Sequence, residues 1–124
     1  YDLRFPAVYR RLAEAGAQVI FVPSAFTRQT GEAHWHILLR ARAIETGCYI
    51  VAPAQIGTHE NGRETYGHSL IIDPWGEILA EADAADEFIS AEIDIDRVAQ
   101  ARAQIPALQH GASYTQPDGG QAHD

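Results

Sequence analysis

Apolar residues recur in the first part of the chain with the spacing of an amphipathic helix. Residues 5–16 combine this spacing with Pro6, which suits a first helical position, and Gly16, which suits the position after the last turn. One face of the predicted helix carries the apolar residues Val8, Leu12 and Ala15. We therefore expect this face to be the one that the helix buries.

A second helix is predicted over residues 32–46, with Thr30 as its N-terminal cap and Gly47 as its end. Its apolar residues form two stripes rather than one: Trp35, Leu38 and Leu39 on one side, and Ile37, Ala41 and Ile44 on the other. A helix that is apolar on two sides is packed on two sides. We expect the sheet to cover one stripe, and a second subunit is a candidate for the other.

The remaining pattern predicts strands. Residues 18–22 and 48–54 are nearly all apolar, as expected of strands that are covered on both faces. Residues 69–72 and 77–82 flank a tight turn at 73–76 and predict a hairpin. Residues 57–65 form a polar loop in this interpretation, and residues 87–94 form a further strand.

Asp96 is the expected cap of a last helix that ends near Gln104. Helix, strand, helix and strand followed by a meander indicate an α/β fold, with a mixed sheet and helices on one face. Residues 1–115 form one domain in this interpretation, and residues 116–124 form a polar, flexible tail.

Composition narrows the functional classes. The 124 residues carry 9 basic and 17 acidic side chains, for a net charge of −8, which argues against nucleic-acid and anionic-membrane partners. No apolar run approaches the ~20 residues of a membrane span. The single cysteine, Cys48, excludes an internal disulfide framework, and we expect a cytoplasmic protein. All the basic residues are arginine and methionine is absent, so we also expect a piece of a longer chain.

Three histidines invite catalytic or metal-binding interpretations. His34 and His36 stand near Glu32, but side chains two apart on a helix point about 200° away from each other and cannot share one ion. Packing or surface roles are the simpler interpretation, and no metal is expected. His68 is followed by Ser69, but neighbours in a strand face opposite sides and no G-x-S-x-G elbow is present.

Other polar residues suggest local structure. Asp73 stands near His68 and Ser69, and its simpler role is in local hydrogen bonds. Cys48 opens an apolar strand, where a free thiol is usually a small buried hydrophobe rather than a nucleophile. Arg42 and Glu45 are three residues apart on the second helix, so an ion pair across one turn is expected.

Six segments together resemble the nitrilase, or carbon–nitrogen hydrolase, superfamily, closest to its Nit amidase branch, which includes deaminated-glutathione amidase and ω-amidase. They are YDLRFP (1–6), VPSAFT (22–27), TGEAHW (30–35), LRARAIE (39–45), YGHS (66–69) and DPWG (73–76). The resemblance extends from Tyr1 to about Gln109. It implies the C-terminal half of a four-layer αββα sandwich, with homodimer contacts through the helices at 6–16 and 32–46.

The resemblance also implies a chemistry. A Glu–Lys–Cys triad would lie upstream of Tyr1, with the cysteine directly before it, and would cleave a small amide to acid and ammonia through an acyl-enzyme without a cofactor. The Tyr1 backbone N–H would belong to the oxyanion hole. Phe26 and Thr27 would line the substrate pocket, and this chain alone would be inactive.

Sequence spacing suggests supporting roles for four further residues. Asp2 and Arg4 could form a structural ion pair beside the active-site turn, and Arg42 and Glu45 could fix the second helix near it. Ala7 departs from the family pattern, which usually has glutamate there. The alternative hypothesis is therefore a non-catalytic remnant or dimerisation module of the same fold.

Overall fold

The computed structural model describes residues 2–23, 28–53, 56–58, 64–66, 68–82 and 89–109. Its helices are a 3₁₀ turn at Asp2–Arg4, α1 at Pro6–Glu14, α2 at His36–Thr46 and α3 at Asp96–Gln104. A short α-helical turn at Arg28–Thr30 and a π-helical turn at Gly31–Trp35 lead directly into α2.

The strands are β1 (Val19–Phe21), β2 (Tyr49–Ala52), β3 (Ile56–Thr58), β4 (Glu64–Tyr66), β5 (Leu70–Ile72) and β6 (Ile78–Glu81). Four of them form one sheet in the order β1–β2–β5–β6, while β3 and β4 form a separate antiparallel pair. Strand β1 is parallel to β2, and the other neighbours in the larger sheet are antiparallel. The predicted α/β fold with a mixed sheet is confirmed.

Helix α2 provides the centre of the core. Trp35, at the end of the π-helical turn, and Leu39 and Ala43 of α2 are fully buried. They belong to one apolar cluster with side chains from three strands, including Ile20, Ile50, Leu70 and Ile72. Of the predicted stripe Trp35, Leu38 and Leu39, the first and last are thus fully buried, and Leu38 is partly buried against the cluster.

The second predicted stripe of α2 is exposed in this chain. Ile37 is 69% exposed and Ile44 is 49% exposed, so neither contributes to the core described here. That a second subunit covers this stripe stays a prediction.

Helix α2 ends as predicted, with Gly47 in the left-handed conformation at φ 66°. The predicted cap was wrong: Thr30 is already helical and its side chain makes no capping bond.

Helix α1 begins at Pro6 and Gly16 adopts a positive φ after it, as predicted. The predicted buried face was wrong. Tyr9 and Ala13 are buried, whereas Val8 and Leu12 are about half exposed. Helix α1 packs on α2, and Tyr9 and Ala13 belong to the core cluster that also contains Ile20 of β1, so the buried face is the one that carries the larger Tyr9 ring.

Among the described strands, β1 lies at the edge of the sheet, and the described residues cover only one of its faces. Ile20 is buried, but Phe21 is 68% exposed, so the prediction of cover on both faces was wrong for β1. An apolar run indicates that a strand is buried on both faces. It does not indicate whether the residues that cover the two faces belong to the same chain.

Two segments differ from the predicted meander. The region predicted as a polar loop contains β3 and β4, whose register pairs Ile56 with Tyr66. Residues 89–94 adopt no strand. They are held instead by Tyr49, whose hydroxyl both accepts from the Asp94 N–H and donates to the Asp94 carbonyl, at 3.1 Å each. A side chain there satisfies backbone groups that a neighbouring strand would otherwise pair.

The start of α3 also corrects a prediction. Asp96 is the first helical residue, and its N–H donates to Asp94 Oδ1 at 3.0 Å. The predicted cap was therefore wrong: Ile95 occupies the N-cap position without a side-chain bond, and the Asp94 carboxylate binds the first N–H of α3. The tight turn at 73–76 was predicted correctly: the Gly76 N–H donates to the Asp73 carbonyl at 3.0 Å, with Gly76 at φ 92°. Within the described ranges, no helix is long and apolar enough to cross a bilayer.

The 124 residues expressed alone should self-associate or remain molten. Large apolar side chains are exposed on several elements, among them Phe5, Phe21, Ile37, Ile44 and Trp75, and such surface drives association. Light scattering after size exclusion and a thermal melt test this expectation. A monodisperse monomer with one sharp, cooperative transition would contradict it.

Candidate functional site

The N-terminal turn at Asp2–Arg4 is tied to α2 by a buried arginine. Leu3 is buried within the core cluster, and its carbonyl accepts a hydrogen bond from Arg42 Nε at 3.0 Å. Arg42 is only 6% exposed. Its Nη1 donates to Glu45 Oε1 at 3.0 Å, and its guanidinium carbon lies 5.7 Å from the centroid of the Tyr9 ring.

These contacts explain why a charged side chain is stable in this position. A buried guanidinium requires a compensating charge and acceptors for its N–H groups. Glu45 supplies the charge from one turn away, so the predicted ion pair is present. The Leu3 carbonyl accepts from a second N–H group of Arg42, the Nε–H. The arginine thereby fixes the backbone that directly follows Tyr1.

Only some of the other predicted site residues lie within the described structure. Arg4 Nη2 is 3.1 Å from His34 Nδ1, which joins the N-terminal turn to the π-helical turn. Tyr1, Phe26 and Thr27, and the side chain of Asp2, lie outside the described residues. Their predicted roles, including the Asp2–Arg4 ion pair, stay predictions.

Asp73 stabilises the hairpin turn. Its carboxylate is almost fully buried, and Oδ1 accepts from the backbone N–H groups of Trp75 and Glu77 at 2.9 Å each. Oδ2 accepts from Arg97 Nη1 of α3 at 3.1 Å. The carboxylate thus joins the turn to α3, in agreement with the structural role expected for Asp73 rather than with a hydrolase triad.

A cluster that the sequence did not reveal joins α2 to the β5–β6 hairpin. We call His36, His68 and Glu81 the two-histidine cluster. His36 Nε2 and His68 Nδ1 both donate to Glu81 Oε2, at 2.7 and 3.0 Å. The two imidazole rings are 5.8 Å apart and inclined at 65°. The three side chains are each about a quarter exposed, so the cluster lies at the surface edge of the core.

The electrostatics of the cluster favour the charged carboxylate. Desolvation raises the pKa of Glu81, but the hydrogen bonds and charges of His36 and His68 lower it more, so that the net pKa lies below its usual value. Glu81 is therefore ionised at neutral pH. The backbone of His68 is also unusual, because its φ of 58° is in the left-handed region. A non-glycine residue in that region commonly marks a constrained position.

Cys48 is buried and has structural contacts. Its thiol donates to the Ala17 carbonyl at 3.3 Å, and Arg102 Nη2 of α3 lies 3.3 Å from its sulfur. The same Arg102 also donates to the Thr46 carbonyl at the end of α2. The thiol is therefore part of the junction between α2, β2 and α3, as the sequence predicted for a buried cysteine.

Comparison with known proteins identifies the family to which this fold and these residues belong. The profile of the carbon-nitrogen hydrolase family matches residues 1–103. The chain belongs to the carbon-nitrogen hydrolase family. Deaminated glutathione amidase of Synechocystis sp. is 56% identical over 110 residues, which cover 89% of this chain and 40% of that protein. Its counterpart in Homo sapiens is 49% identical over the same share of this chain and 34% of that protein.

Solved structures agree with this carbon-nitrogen hydrolase assignment. The C. elegans NitFhit protein superposes with a TM-score of 0.80 at 46% identity, over 90% of this chain and 27% of that chain. Nit3 of Saccharomyces cerevisiae gives 0.80 at 38% identity, over 86% and 39%. An amidase from Nesterenkonia sp. gives 0.59 at 36% identity, over 67% and 31%, and carries an acetamide moiety covalently added at its active-site cysteine.

This carbon-nitrogen hydrolase chain spans 40% or less of the curated relatives described above. The spacing of Arg42 and Glu45 predicted their ion pair, but nothing in the sequence predicted the bond from Arg42 to the Leu3 carbonyl. The two-histidine cluster carried no such signal, because His36 and Glu81 are 45 residues apart and no motif connects them.

Replacing Arg42 with methionine should destabilise the protein more than replacing Glu45 with glutamine. Arg42→Met leaves the Leu3 carbonyl in a buried setting without its donor, which costs about 1–3 kcal/mol. Glu45→Gln keeps the Arg42–Leu3 bond and leaves an amide oxygen that can accept from Arg42 Nη1, so we expect a smaller loss even though the guanidinium loses its compensating charge. Urea denaturation of the protein at its full encoded length measures both. Equal losses would show that the ion pair, not the Leu3 contact, is the important bond.

Proposed function

We propose that this chain is the C-terminal portion of an amidase that hydrolyses a small non-peptide amide to an acid and ammonia. The cysteine, lysine and glutamate of the reaction are supplied by sequence outside these 124 residues. The similarity to deaminated glutathione amidases carries this proposal, and it makes deaminated glutathione the first substrate to test.

The composition of the chain supports an external nucleophile. The chain contains no lysine and one cysteine, and that cysteine is buried against Ala17 and Arg102. A reactive thiolate needs access to substrate and an adjacent base, and Cys48 has neither among its described contacts. The thiol adduct in the Nesterenkonia relative is consistent with a nucleophile of this kind elsewhere in the full protein.

The proposed reaction has two steps. The thiolate attacks the amide carbonyl, a carbon–sulfur bond forms, and the carbon–nitrogen bond breaks as the nitrogen takes a proton and leaves as ammonia. Water activated by the glutamate then attacks the thioester, which releases the acid and restores the thiol. The lysine and the Tyr1 N–H stabilise the oxyanion in both steps.

Arg42 is a positioning residue in this proposal. The N–H of Tyr1 stabilises an oxyanion only if the backbone after it is held in place, since such donors act through fixed geometry. Arg42 holds the carbonyl of Leu3, two residues further along, at 3.0 Å. The α2 helix thereby supports the turn that we propose to carry the oxyanion donor.

The alternative is a non-catalytic remnant or dimerisation module of the same fold. Ala7 favours it, because the family usually has glutamate at this position of α1 and a carboxylate near the active-site turn is missing here. The alternative predicts that the full protein folds and associates but releases no ammonia from any amide.

Ammonia release by the protein at its full encoded length distinguishes the two. We expect release from deaminated glutathione or another ω-amide in a panel that also contains N-carbamoyl compounds and nitriles. Trapping with hydroxylamine should yield the hydroxamate of the same acyl group, as an acyl-enzyme requires. Failure to release ammonia from any member of the panel would favour the alternative.

Cys48→Ala should leave the kinetics unchanged, because the buried thiol takes no part in the proposed reaction. Replacement of the proposed cysteine before Tyr1 should lower kcat by several powers of ten. Steady-state ammonia release measures both variants, and mass spectrometry after acylation shows which cysteine carries the acyl group. An acyl group on Cys48 would contradict the assignment of the nucleophile.

A further inference from the structure

The two-histidine cluster has the composition of a metal site. A nitrogen of each imidazole and an oxygen of Glu81 all lie within 4.8 Å of one another. Imidazole nitrogen and carboxylate oxygen are the ligands that zinc and related divalent transition metals accept in proteins. We propose that His36, His68 and Glu81 bind one divalent transition-metal ion of the zinc class.

Two of the distances between the ligand atoms are slightly shorter than those in a zinc site. Zinc–nitrogen and zinc–oxygen bonds of 2.0–2.2 Å in a tetrahedron place ligand atoms about 3.3–3.5 Å apart. The two hydrogen bonds to Glu81 Oε2 are 2.7 and 3.0 Å long. The first therefore needs to lengthen by about 0.6–0.8 Å and the second by about 0.3–0.5 Å for an ion to replace the shared protons, while the two imidazole nitrogens already lie within 4.8 Å of each other. Small rotations of partly exposed side chains provide this change.

The three ligands would neutralise half of the charge of a divalent ion. Two neutral imidazoles and the ionised Glu81 carboxylate give a charge of −1 against a divalent cation. Each imidazole nitrogen that now donates to Glu81 must present its lone pair to the metal. In the metal-bound form the ring proton then lies on the other nitrogen, Nδ1 in His36 and Nε2 in His68.

The protein holds the three ligands on separate elements. His36 begins α2, His68 precedes β5 and Glu81 ends β6. Trp35, the residue before His36, donates its indole N–H to the carbonyl of His68 at 2.7 Å. This bond fixes the two histidine-bearing segments against each other and holds the ligands in place before binding, as metal sites require.

The exposure of the cluster is suited to a site with an open position. Each side chain is about a quarter exposed, so an ion held by these three ligands could also take water or an external ligand. Three protein ligands with a fourth open position are the arrangement of reactive rather than purely structural zinc sites. His34, two residues away, points elsewhere and contacts Arg4, so it provides a matched control.

Zinc titration of the untagged protein at its full encoded length tests the proposal, with a chromophoric chelator as competitor. We expect one zinc ion per chain at this site. His36→Gln, His68→Asn and Glu81→Gln should each weaken binding by about tenfold or more, and His34→Gln should not. Asparagine is chosen at position 68 because it tolerates the left-handed backbone conformation.

Equal weakening by His34→Gln and His36→Gln, or binding that persists unchanged in all three cluster variants, would overturn the proposal. X-ray absorption at the zinc edge of the unmodified protein gives an answer that does not depend on how the variants fold. Scattering from two imidazoles with oxygen ligands supports the site. A sulfur ligand, or a shell without imidazole, would contradict it.

Discussion

Burial of one face of α2 is the interaction on which the other parts of the structure depend. Leu39 and Ala43 of that face, and Trp35 of the preceding turn, are fully buried, and burial of a large apolar side chain contributes roughly 1.5–3 kcal/mol. With this face fixed on the sheet, side chains at its edges reach three separate segments. Arg42 binds the N-terminal turn, Arg40 donates to the Gly76 carbonyl of the hairpin turn at 2.8 Å, and His36 binds Glu81.

Elements with local signals could be predicted from the sequence, and elements that depend on distant partners could not. Gly47 and Gly76 adopt the left-handed conformations that end α2 and close the hairpin turn, and each is specified by its immediate neighbours. The exposed face of Phe21 and the pairing of β3 with β4 depend on which segment lies alongside. A hydrophobic pattern gives no information about that partner.

The same distinction separates the predicted from the unpredicted parts of the candidate site. The Arg42–Glu45 pair spans one helical turn, so its spacing was sufficient to predict it. The bond from Arg42 to Leu3 spans 39 residues. Helical geometry correctly excluded a shared ion for His34 and His36, but it could not supply the partners that the hairpin brings to His36.

Arg42 and the two-histidine cluster both position backbone segments through polar contacts. Replacing a buried ion pair with apolar residues of similar volume is often neutral or stabilising, so stability alone does not account for a buried arginine. What an apolar side chain cannot do is donate to the Leu3 carbonyl and fix its direction. His36 and Glu81 are partly exposed, and they too position a backbone segment, because they hold His68 through a shared carboxylate oxygen. At Arg42 and at His36, α2 thus carries a polar side chain that positions a distant backbone segment. We propose a chemical role at both positions.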